Sequence, residues 1–227
     1  MATPFIDVLI LSAGQSSRFK GIKQLAKFEG QTLLNRTITQ VSLGNVYLNQ
    51  CHVVLGANAE QIAPTIAPTI TRTITPNIAL TDIPAINPEN PVTTASLTQS
   101  INLLFNPSWE KGMGETVSYS IQQLKNSMSS VLICLVDQPL ITNKHYVALC
   151  KLAYVNPDKI IASQSAKGFV APVIFPSLYF DELIQLAGDQ GAKKLIQQHA
   201  QSVIGLHCPE ALLDVDTQHD LARYIPK

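Results

Sequence analysis

The chain has 227 residues, of which 46% are hydrophobic, and its 16 basic and 16 acidic side chains give a formal net charge of zero. That length suits one large domain, or one domain with an elaboration, with ample material for a core. The balanced charge excludes a nucleic-acid surface and a polybasic membrane patch, and no apolar run is long enough to span a bilayer.

The first stretch, MATPFIDVLILS, is apolar but lacks a basic leader region, so no signal peptide is expected. Within it, residues 5–12 read as a continuous buried strand. Residues 32–43 carry Leu33, Leu34, Ile38 and Val41 on one helical face. Residues 52–55 are a second strand and 101–105 another. Residues 115–125 place Val117, Ile121 and Leu124 at helical spacing, and 130–136 form a strongly apolar strand. A helix over 143–152 is capped by Thr142 or Asn143. Strands follow at 159–163 and 170–175. A helix over 178–187 stops at Gly188, and a short helix follows Gly191. Strands at 202–206 and 212–215 precede a last helix from Thr217. Apolar strands alternating with amphipathic helices predict an α/β, Rossmann-like three-layer sandwich around a mostly parallel sheet. The whole of 1–227 reads as one domain.

Residues 63–100 break the rhythm. They repeat Ile, Thr and Pro, with prolines at 64, 68, 76, 84, 88 and 91. Such a composition disfavours helix and cannot make a regular central strand. It reads as a Pro/Thr-rich insertion or loop within the domain. The cysteines at 51, 134, 150 and 208 form no CxxC pair and read as reduced, mostly buried thiols of a cytoplasmic protein. The five histidines show no metal-ligand spacing and no nucleophilic grouping, so structural or surface roles are expected for them.

Four stretches carry candidate chemistry. In LSAGQSSRFKGIK the first strand runs into a small polar loop, Ser12, Ala13, Gly14, Gln15, Ser16, Ser17, then Arg18 and, five residues on, Lys23. No GxGxxG, Walker A or GxSxG pattern fits. A loop at the carboxyl edge of a parallel sheet is where open α/β folds bind ligands, and its backbone N–H groups can converge on phosphate oxygens. Gly14 is expected to supply a conformation denied to bulkier residues. An ordinary surface loop with solvated cations explains the same residues. In VLICLVDQPLIT, Asp137 ends a buried strand and Pro139 prevents its extension. A carboxylate there suits Mg²⁺, which needs few protein oxygens when phosphates supply the rest; a turn Asp is the plain alternative. In LLDVDTQHDL, Asp214 and Asp216 alternate on a strand end and share a face, Thr217 caps a helix, and Asp220 is solvated. In NPSWEKGMGETV, Gly112 and Gly114 let backbone approach a ligand, and the helix start offers free N–H groups; a glycine turn packed by Trp109 is the alternative.

Taken in order, these stretches resemble the molybdenum cofactor nucleotidyltransferases, cytidylyltransferase branch. LSAGQSSRFKGIKQLAKFEGQTLL resembles the family's L-x-A-G-x-S-x-R signature with its following Lys and G-x-x-L-L. NPSWEKGMGETV, VDQPLIT, LAGDQGAKKLIQQH and DVDTQHDL are similar to its later motifs. The matches run from residue 8 to residue 222, outside the Pro/Thr-rich segment. The chain departs from the pattern at Lys20, where the family has Gly, at Thr116 for Ser, at Val170 and Ala171 for Gly-His, and at Lys193 for Arg.

The resemblance implies a nucleotide-diphospho-sugar transferase type of fold and a Mg²⁺-dependent transfer of a nucleoside monophosphate. CMP from CTP is favoured, moving onto a phosphate-bearing acceptor such as molybdopterin with release of pyrophosphate. It further implies that Ser12, Ala13, Gly14, Ser16, Ser17 and Arg18 cradle the triphosphate and that Lys23 meets the phosphates. Asp137 and Asp216 would hold Mg²⁺, and Gly112, Met113, Gly114 and Thr116 would lie near base and ribose. Arg18, Lys23, Asp137 and Asp216 are the catalytic candidates, and a molybdoenzyme is the implied partner. Two other readings use the same residues: a sugar-phosphate or other small-molecule nucleotidyltransferase of this fold, and a non-catalytic nucleotide-binding partner of a molybdoenzyme.

Overall fold

The apolar run near the start becomes strand β1, Ile6–Ser12, buried along nearly its whole length. Its neighbours must therefore cover both its edges and both its faces. The computed structural model describes residues 6–66 and 101–224. Most of the expected insertion at 63–100 falls outside the described residues; its start, Ala63–Thr65, is a 3₁₀ turn.

After β1 come the short antiparallel pair β2, Lys27–Phe28, and β3, Gln31–Thr32, then helix α1, Leu33–Ser42. Strand β4 spans Leu48–Leu55, α2 Ala59–Ile62 and β5 Ile101–Phe105. Helix α3 covers Met113–Leu124, β6 Ser130–Leu135 and α4 Asn143–Val155. Strands β7, Ile160–Ser165, and β8, Gly168–Pro176, form a hairpin. Helices α5, Phe180–Ile184, and α6, Lys193–Gln198, precede β9, Val203–His207, and α7, Gln218–Tyr224.

The seven-stranded sheet has the order β5-β4-β1-β6-β8-β7-β9. Strand β8 pairs antiparallel with β6 and β7, while the other pairings are parallel. The chain leaves β1 toward β4 and returns on the other side at β6. The carboxyl ends of β1 and β6 therefore flank a crevice, the place where doubly wound sheets seat their ligands.

Alternation along β1 divides the core into two layers. Ile6, Val8 and Ile10 face one side with Leu33, Leu34, Ile38 and Val41 of α1 and Tyr146, Leu149 and Cys150 of α4. Leu9 faces the other with Val117 and Ile121 of α3, Leu183 of α5 and Leu195 and Ile196 of α6. Each fully buried aliphatic side chain contributes about 1.5–3 kcal/mol, so these faces dictate the three-layer order. All four cysteines are free and buried. Burial pushes the Cys51 and Cys150 thiols up to about 12, which removes the thiolate that redox or metal chemistry needs. Among the described residues, no helix is long and apolar enough to cross a membrane.

Several local expectations change. Strand β4 begins four residues earlier than the apolar run alone predicts, because Leu48 already pairs with Ile6 of β1. The expected helix over 178–187 is shorter: a 3₁₀ turn, Ser177–Tyr179, leads into α5. Neither Thr142 nor Asn143 caps α4 locally. Thr142 makes no side-chain cap bond, and Gln40 Oε1 of α1 accepts from the Asn143 N–H at 2.8 Å. Residues 212–215 are not a strand: a 3₁₀ turn, Pro209–Leu212, leads into a segment without regular structure. Asp220 is not merely solvated. Its Oδ2 accepts from the backbone N–H groups of Asp216 and Thr217, at 3.2 and 2.8 Å, while its own N–H donates to Thr217 Oγ1 at 3.2 Å. That reciprocal pair is a capping box, which starts α7.

Candidate active site

The crevice at the β1/β6 switch point is a cleft of about 480 Å³. Its wall includes Ser12, Ala13, Gly14, Ser16, Ser17, Arg18 and Lys23 from the first loop. Gly112, Met113 and Thr116 come from the start of α3, and Asp137 and Asp216 close it. Of the site residues that the resemblance implies, Gly114 alone stays off the wall. It is buried, and a Cβ there would lie 2.8 Å from the Ala187 carbonyl oxygen. Gly112 likewise makes room for residues 188–189 rather than for a ligand: its φ is +105°, and an added Cβ would sit 2.6 Å from the Gly188 backbone. Both glycines seat the first turn of α3 against the loop that follows α5.

The opening loop owes its shape to other residues than Gly14. That glycine avoids the left-handed region; Ser16 and Lys20 adopt it instead, at φ 58° and 56°, on either side of a 3₁₀ turn, Ser17–Phe19. A Cβ at Gly14 meets nothing within 4 Å, so glycine here leaves cleft space open. Residues 15–18 turn so that their backbone N–H groups find no acceptor among the described residues, which leaves donors for an anion. The loop is held from behind by Gln24, a buried side chain that the sequence reading passed over. Its Nε2 donates to Ser12 O at 3.0 Å and to Gly14 O at 2.9 Å. Only its place directly after Lys23 hinted at this.

Lys20 occupies a left-handed position where the resembled family has glycine, and a side chain there is strained by about 1 kcal/mol. Lys20→Gly is therefore expected to raise stability by about 1 kcal/mol, a rise in Tm of about 2–4 °C for a chain of this size, readable by calorimetry. An unchanged or lowered Tm would mean that the turn is held by contacts of the lysine side chain.

Asp137 and Asp216 arrive from opposite ends of the sequence and meet at one ammonium group. Lys23 Nζ lies 2.8 Å from Asp137 Oδ2 and 3.5 Å from Asp216 Oδ1. Arg18 Nη1 lies 3.0 Å from Asp216 Oδ2, with 74% of its side-chain surface exposed against 14% for Lys23. The meeting is fixed by backbone. Val215 N–H donates to Asp137 O at 2.8 Å, which ties the irregular segment beside the β6 turn. Gln138, also missed in the sequence, donates to Ala211 O at 2.9 Å from a buried position. Arg36 of α1 completes the clamp: its Nε donates to Pro139 O at 2.7 Å, and its guanidinium lies 4.6 Å above the Phe28 ring and binds Glu29 at 2.6 Å. Asp214 stays off the cleft wall; desolvation, then the Asp137 charge, pushes its carboxyl up to about 6.

This donor set fits a hard divalent cation that shares its shell with a ligand. Two carboxylates converge, and the second oxygen of Asp137, Oδ1, is buried without a hydrogen-bond partner. Among the described residues no group of three or more His, Cys, Asp or Glu is arranged to hold a metal alone. Such a pair relies on oxygens from phosphate or water, as Mg²⁺ sites commonly do.

The rest of the wall is less charged. Trp109 stands over Gly56, where a Cβ would come within 2.5 Å of its own Cβ. Thr116, in place of the resembled serine, accepts from Asn106 Nδ2 at 3.1 Å and donates to Gly112 O at 3.2 Å. Asp189 and Glu110 add acidic groups to the wall that the sequence reading did not assign. Val170, Ala171 and Lys193 do not line it.

Comparison with known proteins bears on the family and the fold. The family model described as the MobA-like NTP transferase domain matches residues 8–203. The purine catabolism protein PucB of Bacillus subtilis (strain 168) is 32% identical over 120 residues, which are 50% of this chain and 57% of that protein. The match thus spans little more than half the length of that relative. A nucleotidyl transferase from Methanothermobacter thermautotroptrophicus is similar in structure, with a TM-score of 0.71 at 14% identity, over 96% of this chain and 95% of that one. Rv0371c from Mycobacterium tuberculosis H37Rv, in complex with manganese, gives a TM-score of 0.67 at 20% identity over 97% of both chains. At such identities the structural likeness speaks for the fold alone, a nucleotide-diphospho-sugar transferase type with a mostly parallel sheet.

Proposed function

Because the chain belongs to the MobA-like NTP transferase domain family, we propose that it is a Mg²⁺-dependent nucleotidyltransferase moving CMP from CTP onto a phosphate-bearing acceptor such as molybdopterin. The observation that carries the reading is the convergence of Asp137 and Asp216 on Lys23 beside the amide-rich loop. A molybdoenzyme is the proposed recipient of the product. The CTP preference rests on the NPSWEKGMGETV stretch and its resemblance to the cytidylyltransferase branch.

The reaction asks little covalent chemistry of the protein. An oxygen of the acceptor phosphate attacks the α-phosphorus in line, and the bond to the β-phosphate breaks as pyrophosphate leaves. The N–H groups of residues 15–18 and the neighbouring Ser16 and Ser17 hold the triphosphate. Lys23 and Arg18 compensate the negative charge that gathers on the departing pyrophosphate, in a partly enclosed site where such contacts count for more than in water. Gly112, Met113 and Thr116 border the base and ribose, while Gly114 seats the helix behind them. Asp137 and Asp216 would hold Mg²⁺, which supplies Lewis-acid polarisation of the phosphoryl oxygens and positive charge. Among the described residues no His or Cys lines the cleft wall, which accords with catalysis by positioning and charge.

A nucleotide panel tests the reading. CTP with Mg²⁺ is expected to raise Tm more than GTP, ATP or UTP, because a ligand of the native state alone stabilises by mass action. Pyrophosphate release with molybdopterin is expected to follow the same base order. Preference for another base reassigns the nucleotide. Turnover with a sugar phosphate instead reassigns the acceptor. Binding of one nucleotide with no pyrophosphate from any acceptor favours a non-catalytic nucleotide-binding role.

A further inference from the structure

The contact between Lys23 and the carboxylate pair has a use of its own. Lys23 is the most enclosed charge of the cluster, and its ammonium stands between the two groups proposed to hold the cation. The two carboxylates, the lysine and the arginine of this cluster balance one another, while Asp189 and Glu110 stand elsewhere on the wall. A divalent ion entering alone would place two further positive charges beside that ammonium, and like charges in a partly desolvated site repel strongly. A nucleoside triphosphate carries about four negative charges at neutral pH, so with one divalent ion it brings a net charge of about minus two. Lys23 and Arg18 match that charge once they turn from the carboxylates to the phosphates.

We propose that Lys23 is an internal counter-ion occupying the metal site of the nucleotide-free protein, so that divalent metal binds tightly only together with the triphosphate that draws the lysine away. The Gln24 clamp makes the exchange local. With the loop backbone fixed at Ser12 O and Gly14 O, the movement falls to the Lys23 side chain, whose flexible stem can swing from one set of oxygens to the other. A protein built this way does not sequester free divalent ions, and its two ligands bind with positive coupling, each raising the affinity of the other by the same factor. The inference rests on the assignment of Asp137 and Asp216 as the metal pair.

The test is direct Mn²⁺ binding, followed by electron paramagnetic resonance of the free ion, in wild type and Lys23→Met without nucleotide. The neutral variant is expected to bind Mn²⁺ at least about tenfold more tightly than wild type, as removal of a close like charge predicts. Adding the non-hydrolysable analogue with a methylene between its α- and β-phosphates is expected to tighten Mn²⁺ binding in wild type far more than in the variant. Adding Asp137→Asn to the Lys23→Met chain is expected to abolish the gain. Lys23→Gln, closer in volume and still polar, serves if Lys23→Met does not fold. Equal Mn²⁺ affinity with and without the lysine, weakened in both by Asp137→Asn, would overturn the counter-ion role and leave the metal pair standing. Mn²⁺ binding indifferent to Asp137→Asn in either background would remove the metal pair itself.

Discussion

Asp137→Asn is expected to lower nucleotidyl transfer by about 10²–10³, the loss seen when one preorganised electrostatic contact is removed from a reacting centre. The side chain keeps its size and can still accept a hydrogen bond from Lys23, so the turn after β6 is preserved. What disappears is one of the two negative charges at the mouth of the sheet. Val215 remains bonded to the Asp137 backbone carbonyl, which the substitution leaves in place. Melting temperature and far-ultraviolet circular dichroism are therefore expected to stay close to wild type while pyrophosphate release falls. Asp216→Asn should show the same direction with a smaller loss, because Asp216 is more exposed, 34% against 23%, and more screened. Full activity in both variants would dismiss the carboxylate pair as the reaction's charge centre. A matched collapse of fold and activity would make Asp137 a structural residue.

Gly112→Ala carries the largest expected effect on stability, a loss of about 2–6 kcal/mol. Two terms combine. The backbone at Gly112, φ 105° and ψ −178°, lies in a region almost reserved for glycine, where a side chain is strained by about 1–3 kcal/mol. The added methyl would also meet the carbonyl carbon and oxygen of Gly188 at 2.6 Å, and overpacking against backbone costs about 1–3 kcal/mol. Equilibrium urea unfolding reads the sum, provided that m stays constant. Gly14→Ala is the control: its methyl enters open cleft, so stability should change by less than about 0.5 kcal/mol. A Gly112→Ala chain as stable as wild type would show that α3 shifts off the 188–189 loop at little cost.

The layer order was legible in the sequence because burial leaves a direct mark on it. The run IDVLIL could only be a covered strand, and Leu33, Leu34, Ile38 and Val41 could only be one face of a helix against it. The ends of β1 and β6 announced the cleft through a polar loop and through Asp137 before Pro139. What the sequence concealed are contacts between distant partners. Gln40 caps α4 from another helix, and Gln24 and Arg36 brace the loop and the Asp137 turn from behind; glutamine and arginine carry no local signal of such duties. Asp216 lines the cleft as expected but on a different backbone, since alternation cannot tell a strand from an irregular segment held by one bond from Val215. The glycines misled in a different way. Gly14 read as the source of an unusual backbone conformation and Gly112 and Gly114 as places for close approach to a ligand, but the latter two accommodate the protein's own 187–189 loop, and the left-handed turns fall on Ser16 and Lys20.

Lys23 and Asp216 are 193 positions apart and share one hydrogen bond. A nascent or partly folded chain with its first four sheet strands, β1, β4, β5 and β6, assembled would already display the loop amides and Asp137, yet it would lack the second acid. The complete cluster exists only once the segment after β9 has docked. On the proposed function, a ligand that needs both acids would therefore gauge finished folding and act as a late lock on the native state rather than as a template for its early steps.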